Sequence, residues 1–460
     1  MTDDENVTRR TYLTAAGVTS AAGMTALSGC LGGGDGGGSD EGTSSGDGGD
    51  SGSDMDDSSD SDSSSSMNSL EVQHAWGGGD GKAAFAALIE GFKEEYPDVT
   101  FDVQPVSGGA NKNLNSVIKK RARNQNLPGT WQDWPGANLL QFTEANLLGD
   151  IEEDVWSQNN MKEAYLEGPK RAARPDGTYV TVPINIHRLN NLFYNKSLIE
   201  ESSIDVESLS SPDDLVDAMS AVGDNTEAVG MAQSTKAPWT TLQLWAAVFM
   251  GNNGASAYMD FLNGDANRDD VKNAFETVAN YADYFNSDAA TISWTEGNGK
   301  VMNGDAAFIH QGDWAAGAYR GNDDFNYDDD WGHIPFPGTS GMYALNMDSF
   351  PYGTNGGDGN PSPEATKKFL TYCGTKDAQI RFNKNKGSIP PRSDVSSDEF
   401  GPFLTKQMDD FSNSDAQPPS VTHGLGVKPG VLSDLKSVVS DFTANLDPDA
   451  AADGFVQVFE

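Results

Sequence analysis

Apolar and polar positions alternate along Leu70, Val72 and His74, up to Trp76. That period of two predicts a strand. Phe85, Leu88, Ile89, Phe92 and Tyr96 then recur at helical spacing, and Pro97 ends the helix. Val99, Phe101 and Val103 alternate again, and residues 112–124 read as a second helix. A strand–helix–strand–helix opening predicts a parallel sheet with crossover helices. Ligands of such sheets sit at the carboxyl ends of the strands. This places Gly77-Gly78-Gly79 and Asp80 between a strand end and a helix N-terminus, where backbone N–H groups face a ligand.

Further along, 179–184 and 189–194 read as strands. Ser211 precedes a helix over 212–221, 239–250 is an apolar helix, and 271–285 is an amphipathic one. Residues 321–330, rich in Gly, Asp and Asn, predict an exposed acidic loop. Late helices are expected at 363–373 and 431–446. The pattern contains no internal repeat.

The first seventy residues follow different rules. Arg9-Arg10 precede a mildly apolar run from Tyr12 to Ala26, then Leu27-Ser28-Gly29-Cys30. The run is too short and too rich in small residues to span a membrane, which takes ~20 apolar residues. It predicts a twin-arginine export signal over 1–30, with Cys30 as the lipid attachment residue. Asp3, Asp4 and Glu5 stand where such signals are usually basic. Residues 31–69 hold ten acids, no Lys or Arg, and almost nothing to bury. They predict a polar coil acting as a tether.

Charge separates this tether from the body. The chain has 69 Asp+Glu and 30 Lys+Arg. Setting aside the ten tether acids, Asp3, Asp4, Glu5, Arg9 and Arg10 leaves 56 acids and 28 bases, near −28 for 70–460. The acids are spread along the body, which fits a protein of brine, where a Debye length of ~3 Å at 1 M salt screens self-repulsion. No basic stripe exists to track nucleic acid. Cys373 has no cysteine left to pair with and reads as a small buried apolar residue. No cofactor or metal motif is present among the CxxC, HExxH and P-loop patterns. A body of 391 residues exceeds one ordinary core.

With these elements in order, the chain resembles the family 1 extracellular solute-binding proteins, the sugar receptors of ABC importers. The matching stretches are Leu70-Glu-Val-Gln-His-Ala-Trp76, Phe92-Lys-Glu-Glu-Tyr-Pro97, Leu148-Gly-Asp-Ile151 and Val182-Pro-Ile-Asn-Ile-His-Arg188. They continue with Leu192-Phe-Tyr-Asn-Lys196, Met302-Asn-Gly-Asp-Ala-Ala-Phe308 and Gly312-Asp-Trp-Ala315. A narrower resemblance, to glucose/mannose-type receptors, rests on Asn185-Ile-His-Arg188, Asp348-Ser-Phe350, Lys386-Gly-Ser-Ile-Pro390 and Val421-Thr-His-Gly424.

The resemblance implies an α/β fold of the two-lobe, type II periplasmic-binding-protein kind. Its sheets are mixed, its helices cover both faces, and its ligand cleft lies between the lobes. One lobe is expected over 70–185 and 332–390, the other over 186–331 and 391–460. The implied function is a monomeric, lipid-anchored receptor on the outer face of the cytoplasmic membrane. It would close on a monosaccharide such as glucose or mannose and deliver it to the ABC permease.

A pyranose shows hydroxyls at its rim and C–H patches on its faces. Its binder needs flat rings for the faces and charged or amide groups for the hydroxyls. The resemblance carries Trp76 over as a cleft aromatic and Asp80 as a hydroxyl acceptor, in a loop one residue short. Ala75 stands where an aromatic is usual. Gln132 matches a Gln, and Trp134 replaces a His or Lys. His187 follows the strand into the second lobe. Trp294 and Trp314 match stacking aromatics, and Asp348, Lys386 and His423 match hydroxyl-fixing groups. Read without the resemblance, Asp348 is a turn residue, Lys386 a solvated loop lysine, and His187 and His423 are core histidines. Trp131 and Trp156 are expected in the core or on the surface, and His74, His310 and His333 as structural.

The competing class is a secreted carbohydrate-acting hydrolase. It needs two carboxylates ~5–10 Å apart across a sugar. In so acidic a body such pairs arise by chance, and no Gly-x-Ser-x-Gly elbow appears.

Overall fold

In the computed structural model, residues 68–107 and 111–460 are described. Arg9, Arg10, Cys30 and nearly all of the expected tether lie outside them.

The alternation at the start of the body forms β1, Ser69–His74, with Leu70 and Val72 fully buried. It is flanked in parallel by β2, Thr100–Pro105, and β3, Thr130–Trp131. Helices Gly79–Glu95 and Lys112–Arg123 make the two crossovers. The first buries Phe85, Leu88, Ile89 and Phe92 against β1 and two late helices, Pro363–Cys373 and Lys376–Lys386. Cys373 is a free, buried member of this core, as expected.

The second lobe is built on a four-stranded sheet. It contains β6, Asn191–Asn195, β7, Val229–Met231, β8, Ala306–Gln311, and β9, Trp331–Pro335, in the order β7-β8-β6-β9. Every residue of β8 is buried, which explains its unbroken apolar start rather than an alternation. Trp245, on helix Pro238–Asn263, centres the core beside this sheet. Its ring lies 4.7–5.4 Å from those of Phe249, Phe261, Phe275 and Phe455. Gly254, at φ 81, kinks this span into two helical pieces, so the apolar one ends close to the expected 250, at a turn where a side chain would be strained. Ser211 forms a capping box ahead of helix Pro212–Asn225, as the pattern predicts. Residues 321–330 make the exposed acidic loop, pinned by buried Phe325.

The sequence reading blurs where the lobes join. The strand expected over 179–184 is only β4, Thr181–Pro183. The one expected over 189–194 is β6, shifted slightly, with a separate short strand β5, His187–Arg188, ahead of it. β4 pairs antiparallel with β11, Ser349–Pro351, beside the first core; β5 pairs antiparallel with β10, Leu345–Asn346, beside the second. A third stretch runs alongside, where Ile186 and Ile389 exchange backbone hydrogen bonds of 2.8 and 3.0 Å. We call these three paired segments the crossings.

Candidate functional site

All ten side chains singled out in the sequence line one cavity of about 470 Å³. The first lobe contributes Trp76, Asp80, Gln132 and Trp134; the crossings contribute His187, Asp348 and Lys386; the second lobe contributes Trp294, Trp314 and His423. The strand end and the glycine turn lie where the β-α pattern puts them. One detail differs: the Gly77 N–H donates to the Ala75 carbonyl (2.9 Å), so it is not free for a ligand.

Asp348 is the hub of the polar wall. It accepts from Gln132 Nε2 and Asn185 Nδ2, each at 3.0 Å. Its own N–H donates to Asn185 Oδ1 at 2.7 Å, tying two crossings together. Asp348 is therefore a built-in partner and not a simple turn residue. Burial would raise its pKa. The hydrogen bond and charge of His187, with Lys386 and Asn185, outweigh that and hold it at about 2.

His187 is clamped between acids. Nδ1 bonds Asp313 Oδ1, and Asp313 also accepts the Arg188 N–H at 3.0 Å. Nε2 lies 2.9 Å from Asn185 Nδ2 and 3.5 Å from Asp348 Oδ2. It accepts from Asn185 when neutral and donates to Asp348 when protonated. Burial opposes the charged ring, but the charge of Asp313 and the bonds to both acids outweigh it and raise the pKa.

Lys386 is not a solvated loop lysine. It ends helix Lys376–Lys386 and is 6% exposed, with Nζ 2.7 Å from Asp80 Oδ2 and 6.0 Å from the Trp314 ring centroid. Burial would lower its pKa; the charges of Asp80, Asp348 and Asp313 raise it instead. Asp80 thus commits one oxygen to Lys386.

The aromatic wall is continuous. Trp314 stands edge-on to His187 (5.2 Å) and close to His423 (5.7 Å), and its Nε1 donates to Gln311. His423 also meets Trp134 edge-on at 5.1 Å. Burial, with the charge of Lys436, pushes the His423 pKa down to about 3, so it is neutral at neutral pH. Trp76 is half-buried, with Phe382 at 5.1 Å. The cation missing at Trp134 has a counterpart: Lys436 Nζ lies 6.0 Å from that indole.

Trp239 and Asn346 are among the lining residues that escaped the sequence reading. Trp239 opens an apolar helix and so passed for core, yet its ring lies 6.5 Å from Trp294 and 6.3 Å from Trp314. Asn346 is 2% exposed, and its Oδ1 has no hydrogen-bond partner among the described residues, leaving an acceptor for a ligand hydroxyl. A lone Asn carries no pattern that could have revealed this. Trp131 and Trp156 are fully buried core residues. His310 bonds the Leu189 carbonyl, His333 contacts Tyr327 and Gln407, and His74 packs on Phe85.

Two lobes over a cleft walled by indoles and buried charge define a solute receptor. The chain belongs to the bacterial extracellular solute-binding proteins, whose family model matches residues 87–407. It is a binding protein of the cell exterior, not an enzyme. A xylose/arabinose-binding protein, XacG, of Haloferax volcanii is 42% identical over 391 residues, covering 85% of this chain and 84% of that protein. An uncharacterized ABC transporter extracellular-binding protein of Pyrococcus horikoshii is 32% identical, covering 84% and 86%. The solved structure of the bacterial solute receptor AcbH, described as preferring β-D-galactopyranose, superposes with a TM-score of 0.71. It is 18% identical over 85% of this chain and 97% of that one, a likeness of fold.

Proposed function

We propose that this chain is the receptor of an ABC importer and captures a monosaccharide in the interlobe cleft. The observation that carries the reading is one cavity joining five indoles to the Asp348–His187–Lys386 charge network. Rings cover the C–H faces of a pyranose, and ionised groups hold its hydroxyls. The cavity volume falls in the ~300–1,000 Å³ range of small-molecule sites.

Two sugar classes are supported. The 42% identical relative named for xylose and arabinose favours a pentose. The stretches Lys386–Pro390 and Val421–Gly424 favour a glucose-like hexose. The classes differ by one hydroxymethyl group, and such a difference is worth ~10–200-fold in a fitted site. Titration of tryptophan fluorescence in multimolar salt, over xylose, arabinose, glucose, mannose and galactose, is expected to separate them by at least about tenfold. A response only to oligosaccharides or peptides would refute the monosaccharide reading.

The acidic body fits work in brine. Cys30 and the acidic coil fit a lipid-held leash, which raises the receptor's effective concentration at its permease. Cys30→Ser is expected to move the mature protein from the membrane fraction to the medium. Retention on membranes would count against the anchor.

A further inference from the structure

Gly317 lies where helix Trp314–Tyr319 of the second lobe comes close to Asp80 and Lys386. A Cβ placed on it would lie 2.8 Å from Asp80 Cβ and 3.1 Å from the Lys386 carbonyl oxygen. Neither neighbour can yield cheaply. Asp80 is fixed by its 2.7 Å bond to Lys386, and the other contact is main chain. Gly387 faces the same helix from across the seam, at φ +84. A Cβ there would lie 3.0 Å from the Asp313 carbonyl oxygen and 3.1 Å from Gly317 N. Backbone therefore meets backbone beside the cavity that Trp314, Asp80 and Lys386 line.

The helix itself gives no reason for a glycine. Its sequence is Trp-Ala-Ala-Gly-Ala-Tyr, and Gly317 has no positive φ. Alanine would be the better helix former at that position. What glycine supplies is the close approach.

We propose that Gly317 is an affinity-setting positioning residue whose bare backbone lets the second lobe seat on Asp80 and Gly387 in the ligand-holding arrangement. The inference rests on the reading of this chain as a receptor that closes on its sugar. A side chain at 317 holds the lobes apart at the seam and leaves each lobe's ligand groups in place. The closed state is then less populated, and affinity falls with that population.

The test is calorimetric titration of native protein, Gly317→Ala and Gly317→Val with xylose and glucose, alongside small-angle scattering. Gly317→Ala is expected to weaken binding roughly tenfold, the usual scale of an overpacked contact, and Gly317→Val further. Thermal unfolding of the ligand-free protein should not fall for Gly317→Ala. The native radius should contract with saturating sugar, and that of Gly317→Val should contract less. Gly223→Ala, on a helix with nothing within 4 Å of its Cβ, should bind as native does. Affinities of both Gly317 variants within twofold of native would overturn the proposal. So would a loss of ligand-free stability that tracks the loss of affinity. Native protein that binds none of xylose, arabinose, glucose, mannose and galactose would instead sink the monosaccharide reading on which the proposal stands.

Discussion

Lys386→Met is expected to abolish sugar binding and to cost about 3–5 kcal/mol of folding stability, because it strands a buried carboxylate. Asp80 would lose its 2.7 Å partner at a site where both side chains are at most 10% exposed. The cationic face over Trp314 would be lost as well. Two roles are folded into this residue, and a second substitution separates them. In Lys386→Met with Asp80→Asn the uncompensated charge is gone, so urea unfolding should recover most of the loss. Binding should not recover if the ammonium itself holds a hydroxyl. Full recovery of affinity in the double variant would show that Lys386 acts only as a structural partner of Asp80.

Asp348→Asn is the second large effect. The amide keeps the shape but turns one acceptor into a donor, opposite donors that Gln132 and Asn185 already supply. It also removes charge beside His187 and Lys386. A destabilisation of about 3 kcal/mol is expected near neutral pH, with affinity lost in parallel. The sign with pH is fixed by the carboxyl's position at about 2 in the fold. A depressed carboxyl contributes stability that is present above its unfolded value, near 3.9, and lost as pH falls through its folded value. The gap between native and variant should therefore shrink as pH falls from about 5 toward 2, and narrow again as pH rises through the raised pKa of His187, which the bond to Asp348 supports. A gap that stayed constant down to pH 2 would mean that the charge on Asp348 contributes nothing. Urea midpoints at several pH values measure it.

The first lobe was largely legible because its elements are long and one-sided. Leu70 and Val72 alternate, and Phe85 to Phe92 follow the helical period, so burial pattern and sequence pattern coincide. The crossings were not legible. β4, β5 and β10 are two or three residues long, held by partners more than 150 residues away, and too short to carry a period. The candidate residues were singled out through resemblance and only in part through physics, and what the structure adds is that they line one cavity. Nothing in the residues around Lys386 says that a helix end buries it beside Asp80. Trp239 was hidden by its neighbours, since an indole opening an apolar helix looks like core. Asn346 became visible only through an oxygen left without a partner.

The bonds from Asn185 to Asp348 and from Ile186 to Ile389 have one more consequence. The segments that present Asp348 and His187 to the cavity are tied to each other and to their neighbours by these same bonds. Changing those two residues to suit another sugar would also loosen the ties that hold the segments together. Retuning for a new cargo is therefore better directed at the indoles on the lobe faces, Trp134 and Trp294. There the choice of guest can be altered while the bonds among Asn185, His187 and Asp348 stay in place.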